Sequence, residues 1–192
     1  GKGGGDGGVI AAAMPAERVE RRRAIVSAAG LRLAGIRLHS AGVRAVLASE
    51  EAPPGSALVI APGIGSLELM VLSAGRLVFS RSIVASIPDE PDQLERFAER
   101  VAVEASRTWV SYRVSPEGGD VERLVILAAQ PVADALAGAV SSRLEIGAQI
   151  LTPRELVDAD EGVGDGELTP AVPLAGLLLC RERGIPVLDF AH

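Results

Sequence analysis

The middle of the chain carries the clearest pattern of apolar positions. Two apolar runs, Ala57 to Ala61 and Leu67 to Leu72, flank a short glycine-containing turn, and a third run follows from Arg76 to Val84. Runs of this length, rich in valine, isoleucine and leucine and bounded by glycine, are typical of β-strands. The pattern therefore predicts three strands, with a tight hairpin connection at Ser73 to Gly75.

Apolar residues at three- and four-residue steps predict a long helix after Pro91. Asp92 followed by Glu95 is typical of a capping box at its start. The two aromatic residues near its end favour a core position over a base-stacking platform. The predicted buried face comprises Leu94, Phe97, Ala98, Val101, Ala105, Thr108, Trp109 and Tyr112.

Shorter patterns predict the remaining elements. Before the three strands, the chain predicts a strand at Val9 to Ala13, a helix from Pro15 to Gly30, a half-buried strand at Leu31 to Leu38 and a helix capped by Ser40 that runs to Leu47. After the long helix, it predicts a strand at Leu124 to Leu127, a helix from Pro131 to about Arg143, a strand at Ile146 to Leu151 and a helix from Thr169 to Arg183 that Gly184 stops. Gly176 would let the last helix approach a neighbour closely.

The turn between the first two central strands is the candidate ligand site. Gly63 and Gly65 allow positive φ angles and exposed amide donors, which a loop needs if an anion is to bind against it, and Ser66 follows them. A plain hairpin turn without a ligand explains the same glycines equally well.

Charge and cysteine content limit the possible partners. The 192 residues carry a formal net charge of −6 and a pI near 5.0, so no long-range basic field exists to hold nucleic acid or an anionic membrane. Cys180 is the only cysteine, which excludes an internal disulfide framework and indicates a reducing compartment. No apolar window is long enough for a membrane span.

No catalytic or metal-binding constellation is predicted. His39 and the terminal His192 have no partners that would make a triad or a metal site. The acidic stretch Asp158 to Glu167 lacks the ligand spacing of a calcium loop, so exposed disorder is favoured there. Carboxylates are plentiful, but none is expected in an apolar setting that would tune its pKa.

The order of these parts resembles a known family. The segments VIAAAMPAERVERRRAIVSAAGLRLAGIRLHSAGVRAVL, RLVFSRSI, RTWVSYR, LVILAA and VPLAGLLLCR, taken in order, resemble the PilM-like type IV pilus assembly proteins and their FtsA-like relatives. The resemblance extends from Val9 to Phe190. It implies an α/β class with a partial actin-like (ribonuclease H-like) ATPase fold.

The resemblance also implies a domain organisation. It comprises a flexible segment at 1–8, part of an inserted α/β subdomain and the return to the first lobe at 9–48, a second actin-like lobe at 57–183 and an extended tail at 184–192. The family's first phosphate loop has no counterpart, so the chain is expected to be the C-terminal part of a longer protein.

The family's second phosphate motif, approximately Asp-Ile-Gly-Ala-Gly-Ser-Thr-Glu-Leu, matches the stretch from Ala61 to Leu69. Gly63, Gly65 and Ser66 are retained as a vestigial phosphate loop, whereas Ala61 replaces the aspartate that orients metal-bound water and Leu67 replaces the threonine. Ala128, Ala129 and Gln130 stand where the family has a glycine pair beside the adenosine. We therefore expect no bound cofactor, and ATP with Mg²⁺ only if the degenerate turn still binds it.

The functional expectation is a non-catalytic scaffold, a pseudo-ATPase, in the cytoplasm. The resemblance implies attachment to the inner-membrane platform of a type IV pilus or type II secretion-like machine, through partners or a downstream fused segment. The implied partner is the N-terminal tail of a PilN-like membrane protein, bound near Leu31 to Leu38, together with other platform components. The alternatives are a working nucleotide-binding ATPase completed by residues outside this chain and a GspL-like cytoplasmic domain.

Overall fold

A computed structural model describes residues 14–48, 55–185, 187 and 189–190. The predicted strand at Val9 to Ala13 and the flexible segment at 1–8 lie outside the described residues. The chain divides into two compact units, one formed by residues 1–38 and 186–192 and the other by residues 39–185.

In the first unit, helix α1 spans Ala16–Ala28. As predicted, Gly30 terminates it, two residues beyond its last helical residue. Gly30 has a φ of 71° and donates to Ser27 O, while the Leu31 amide donates to Val26 O. These two bonds form a Schellman motif, which satisfies the last helical carbonyls and requires a left-handed residue. Glycine is therefore the residue that fits the end of this helix.

The prediction of a strand at Leu31 to Leu38 is wrong. Only Arg37 forms a β-bridge there, to Asp189. The Ile36 amide donates to Asp189 Oδ1 at 2.9 Å, and the Phe190 amide donates to Ile36 O at 3.0 Å. Because a side chain takes the Ile36 donor in this stretch, a regular ladder does not develop.

The second unit is built on a five-stranded sheet with the order β3-β2-β1-β4-β5. The strands are β1 Ser56–Pro62, β2 Ser66–Ser73, β3 Arg76–Val84, β4 Arg123–Leu127 and β5 Ala148–Leu151. Strands β1, β2 and β3 form an antiparallel meander, and β4 and β5 continue the sheet in parallel with β1. All seven residues of β1 are buried, as a central strand covered on both faces requires.

Helices cover both faces of this sheet. The helices of this unit are α2 His39–Leu47, α3 Pro91–Arg113, α4 Val132–Leu144, the short α5 Pro153–Leu156 and α6 Asp165–Leu168, and α7 Val172–Glu182. Helices α3 and α4 form one core with Leu58, Ile60 and Leu67 of the sheet. Helices α2 and α7 form the other core with Val59 and Met70. The predicted central strands and the helices flanking them are confirmed to within about two residues.

Four predicted details differ in this unit. Ser40 does not cap α2, because the helix already begins at His39. The capping box at Asp92 is wrong because Pro91 begins α3 and Glu90 occupies the N-cap position without a side-chain bond. Proline is favoured at this first position because its φ is already helical. The helix predicted from Thr169 begins as a 3₁₀ turn, Thr169–Ala171, before α7. The acidic stretch is not wholly disordered, because α6 forms there and Asp165 accepts a bond from Arg154 Nε at 3.0 Å.

Candidate functional site

The turn between β1 and β2 is closed by its own backbone. The Gly63 amide donates to Ser66 O at 2.8 Å, so this donor is used inside the turn and is not free for a ligand. Gly65 has a φ of 66°, as the sequence predicted, and its carbonyl accepts from the Ala85 amide at 3.3 Å. Gly63, for which the sequence also allowed a positive φ, does not have one. The structure therefore brings Gly63, Gly65 and Ser66 together in one tight turn, but with fewer exposed donors than expected.

A buried carboxylate lies beside this turn. Glu68 of β2 pairs in register with Ala61 of β1, and its exposed fraction is only 8%. Its Oε2 accepts a hydrogen bond from Ser80 Oγ at 3.4 Å on the neighbouring strand β3. The sequence analysis did not single out this carboxylate as buried. Its signal in the sequence is a single charge within the apolar run Leu67 to Leu72.

His39 is the second group that the sequence analysis missed at this site. It is the first residue of α2, and its imidazole lies against Gly63. A Cβ atom added to Gly63 would lie 3.3 Å from His39 Nε2 and 3.2 Å from Ser66 Oγ. The imidazole thus occupies the space on one side of the turn. Residues so far apart in sequence give no local pattern from which this contact could be read.

The environment of His39 keeps its ring neutral. Both ring nitrogens are buried and lack hydrogen-bond partners in the described structure. Burial lowers the pKa of His39 below its ordinary value of 6.5, and the negative charge of Glu68 acts in the opposite direction. The turn is therefore bordered by a neutral imidazole and a carboxylate, with no cation from either group at neutral pH.

This burial predicts that acid destabilises the protein. Because the folded pKa lies below 6.5, the unfolded chain binds more protons as the pH falls through 6.5, and stability decreases until the folded pKa is reached. We expect the free energy of unfolding to fall in this window, and the fall to be absent in His39→Phe. Chemical denaturation at a series of pH values measures it. His192 is present in both proteins, so an equal slope in the variant would contradict the assignment.

The first two residues of the loop after β4 are buried. Ala128 is fully buried and belongs to the core formed with α3 and α4, and Ala129 is also buried. Gln130 is exposed and its Nε2 donates to Asp134 Oδ1 at 3.5 Å. The methyl groups that replace the expected glycine pair are thus part of the hydrophobic core.

Comparison with known proteins identifies the fold. No family model matches the chain, and no curated protein sequence matches it. The chain is similar to a solved structure described as the PilM-PilN type IV pilus biogenesis complex, with 19% identity and a TM-score of 0.57. The likeness covers 83% of this chain and 55% of that chain, so the present sequence spans about half the length of its relative.

The fold is a partial actin-like ATPase fold. The resemblance to PilM-like proteins is thereby confirmed at the level of the fold, as is the predicted α/β class. Two further structures are similar with TM-scores below 0.5. They are the ethanolamine utilization protein EutJ from Carboxydothermus hydrogenoformans (12% identity, TM-score 0.49, 81% of this chain and 58% of that chain) and a protein from Bacteroides thetaiotaomicron with an actin-like ATPase fold and unknown function (8% identity, TM-score 0.47, 74% and 44%).

The described residues contain neither a candidate membrane-spanning helix nor a candidate metal cluster. None of their helices combines the length and the apolar character that a bilayer crossing requires. Within the same residues, no three histidine, cysteine, aspartate or glutamate side chains come together as a metal ion would need.

Proposed function

We propose that this actin-like chain belongs to a non-catalytic scaffold in the cytoplasm, attached to the inner-membrane platform of a type IV pilus or type II secretion-like machine. The observation that carries the proposal is the chemistry at the end of β1. Ala61 places a buried methyl group there, where an actin-like ATPase of this family needs a carboxylate to hold hydrated Mg²⁺.

The surroundings of the turn support the loss of catalysis. A triphosphate needs amide donors and cations, because its charge is stabilised almost entirely by positioned positive groups. Here the Gly63 amide is used within the turn, and the imidazole beside it is uncharged at neutral pH. The carboxylate of Glu68, which lies beside the same turn, would repel a phosphate group. Leu67, in the place of the family's threonine, has its side chain in the core and offers no hydroxyl.

The proposed partner is the N-terminal tail of a PilN-like membrane protein. The similar solved structure is described as a complex of PilM with PilN, which motivates this choice of partner. We infer that the tail binds near Leu31 to Leu38, as the resemblance implies. This stretch has an exposed Leu31, with 67% of its surface accessible, beside the exposed Arg32. An apolar side chain next to a cation is a surface on which a short peptide can dock.

Binding of the tail tests the scaffold role. We expect a synthetic peptide of the N-terminal tail of the PilN-like protein from the same organism to bind the intact protein, measured by isothermal titration calorimetry. Leu31→Asp should weaken this binding by roughly tenfold, because it places a charge on the apolar contact. The matched control is Val110→Asp, which changes a similarly exposed apolar residue on α3. No binding of the tail, or equal loss in both variants, would contradict the assigned partner site.

A second function is favoured by one observation. The buried carboxylate of Glu68 lies directly across the strand pair from Ala61, at the place where the acidic group of the family motif is missing. In this alternative, the chain is part of a nucleotide-binding ATPase that residues outside it complete, and Glu68 takes over the role of the lost aspartate. The alternative requires ATP turnover that depends on Glu68.

A further inference from the structure

A groove of about 920 Å³ lies between the edge strand β3 and helix α3. It is lined on the strand side by Arg81 and Ile83 and on the helix side by Phe97, Arg100, Glu104 and Arg107. Phe97 forms part of the buried core, so the groove has an apolar floor and charged walls. None of these residues belongs to the turn between β1 and β2.

The strand that borders this groove has a free edge. β3 is the first strand in the sheet order, and among the described residues only β2 pairs with it. Its nine residues contain no proline. Val78 forms a bulge against β2, and the six residues from Phe79 to Val84 pair with β2 without interruption. Soluble proteins blunt such edges with prolines, bulges, charged side chains or covering elements, because the unpaired N–H and C=O groups recruit another strand. On β3 the bulge at Val78 and the charge of Arg81 act against pairing with an uncharged or basic strand. Beyond the bulge, the edge from Phe79 to Val84 is regular and is available for the addition of a strand whose charge is opposite to that of Arg81.

The charges of the groove are opposite to the charge of the whole protein. Its lining contains three arginines and one glutamate, an excess of two positive charges, in a chain with a formal net charge of −6. Glu104 pairs with Arg81 at 2.8 Å and with Arg107 at 2.5 Å. Arg100 is exposed and has no ion pair within the described part of the chain. The groove thus holds an unneutralised cation beside a strand edge.

The side chains of β3 alternate in a way that fits one kind of ligand. Arg81 and Ile83 pair with Leu69 and Leu67, whose side chains belong to the core beneath α3, so alternate residues of β3 face the groove. At the end of the strand, Val84 is 97% exposed. A strand laid beside β3 would therefore also direct every second side chain towards the arginines.

We propose that an extended acidic segment of a partner protein binds in this groove as an additional strand along the outer edge of β3. Its backbone pairs with β3, and its carboxylates face Arg81, Arg100 and Arg107. Main-chain hydrogen bonds supply affinity in this mode of recognition, and the charges supply specificity and register. The inference uses no residue of the nucleotide turn or of Leu31 to Leu38, although the groove adjoins the turn at Ala85, whose amide donates to Gly65 O. It holds whether or not the protein binds ATP.

The experiment uses the intact protein and a fluorescently labelled synthetic peptide that alternates glutamate with valine over the length of β3. Fluorescence anisotropy gives the dissociation constant. The first control peptide has lysine in place of every glutamate. Two further peptides carry N-methyl groups on one or the other set of alternate amides, which removes the donors of one edge only. Arg100→Glu tests the cation, and Arg143→Glu, an exposed arginine on α4, is the matched control.

We expect saturable binding of the glutamate peptide and none of the lysine peptide. Arg100→Glu should weaken binding by about tenfold or more, which corresponds to loss of one charge-assisted contact, while Arg143→Glu leaves it unchanged. One N-methylated peptide should lose binding and the other should retain it. Circular dichroism of Arg100→Glu confirms that this surface variant is folded.

Several outcomes would overturn the proposal. They are the absence of saturable binding, equal binding of the lysine peptide, equal effects of the two arginine variants, and equal binding of both N-methylated peptides. If sedimentation instead shows a dimer that Arg100→Glu dissociates, the edge pairs two copies of this chain and the acidic-segment proposal is wrong. None of these results depends on the binding of ATP or of a PilN-like tail, so they leave the proposed function to its own tests.

Discussion

Gly42→Val is expected to lower the free energy of unfolding by about 3 kcal/mol or more. Helices α2 and α7 meet backbone to backbone at two glycines. A Cβ atom on Gly42 would lie 2.0 Å from Pro173 O, and one on Gly176 would lie 1.9 Å from Gly42 O. Backbone atoms cannot rotate away as a long side chain can, so an added side chain must push the helices apart. This would open the core that they form over Val59 and Met70.

Chemical denaturation of the intact protein measures this effect. The matched control is Gly138→Ala in the middle of α4, where an added Cβ meets nothing within 4 Å. This control should be stabilised by about 0.5 to 1 kcal/mol, because alanine is the better helix former and its unfolded chain is less flexible. The packing argument would be contradicted if Gly42→Val were as stable as the unmodified protein.

The contact between α2 and α7 shows which features of the fold could be predicted from the sequence and which could not. Gly176 inside an apolar helix predicts a close approach, and the structure confirms it. Nothing local in the sequence identifies Gly42 as the partner, because the two glycines are brought together only by the folding of everything between them. Local signals, such as the apolar strand runs and the glycines that end α1 and α7, are therefore predicted well.

The predictions that were wrong or absent also depend on contacts between residues far apart in the sequence. Leu31 to Leu38 alternates like a strand, but a strand needs a neighbour, and Asp189 supplies only a single bridge. At the candidate site, the turn glycines were predicted from their own pattern. The imidazole of His39 and the carboxylate of Glu68 were not predicted as parts of the site, because each is placed there by a contact with a residue on another element. A lone histidine and a lone charge in an apolar run become informative once the sheet register is known.

The second large expected effect is the absence of ATP hydrolysis. The resemblance to actin-like ATPases implies a carboxylate at the end of the first strand that holds hydrated Mg²⁺ and orients the attacking water, and losing such a group removes most of the catalysis. Ala61 supplies no such group. We expect the intact protein to release phosphate from Mg-ATP no faster than the background, and Glu68→Gln to leave this rate unchanged. Turnover that Glu68→Gln abolishes would instead establish the alternative, in which Glu68 replaces the lost aspartate.

Titration with nucleotide tests most directly whether the turn between β1 and β2 has lost its ligand, because binding precedes any chemistry. The measurement is an equilibrium titration of the intact protein with Mg-ATP by isothermal titration calorimetry, with Gly63→Val as the variant that fills the turn further. We expect no saturable heat of binding at millimolar ATP for either protein. Saturable binding to the unmodified protein that requires magnesium and is lost in Gly63→Val would contradict this expectation.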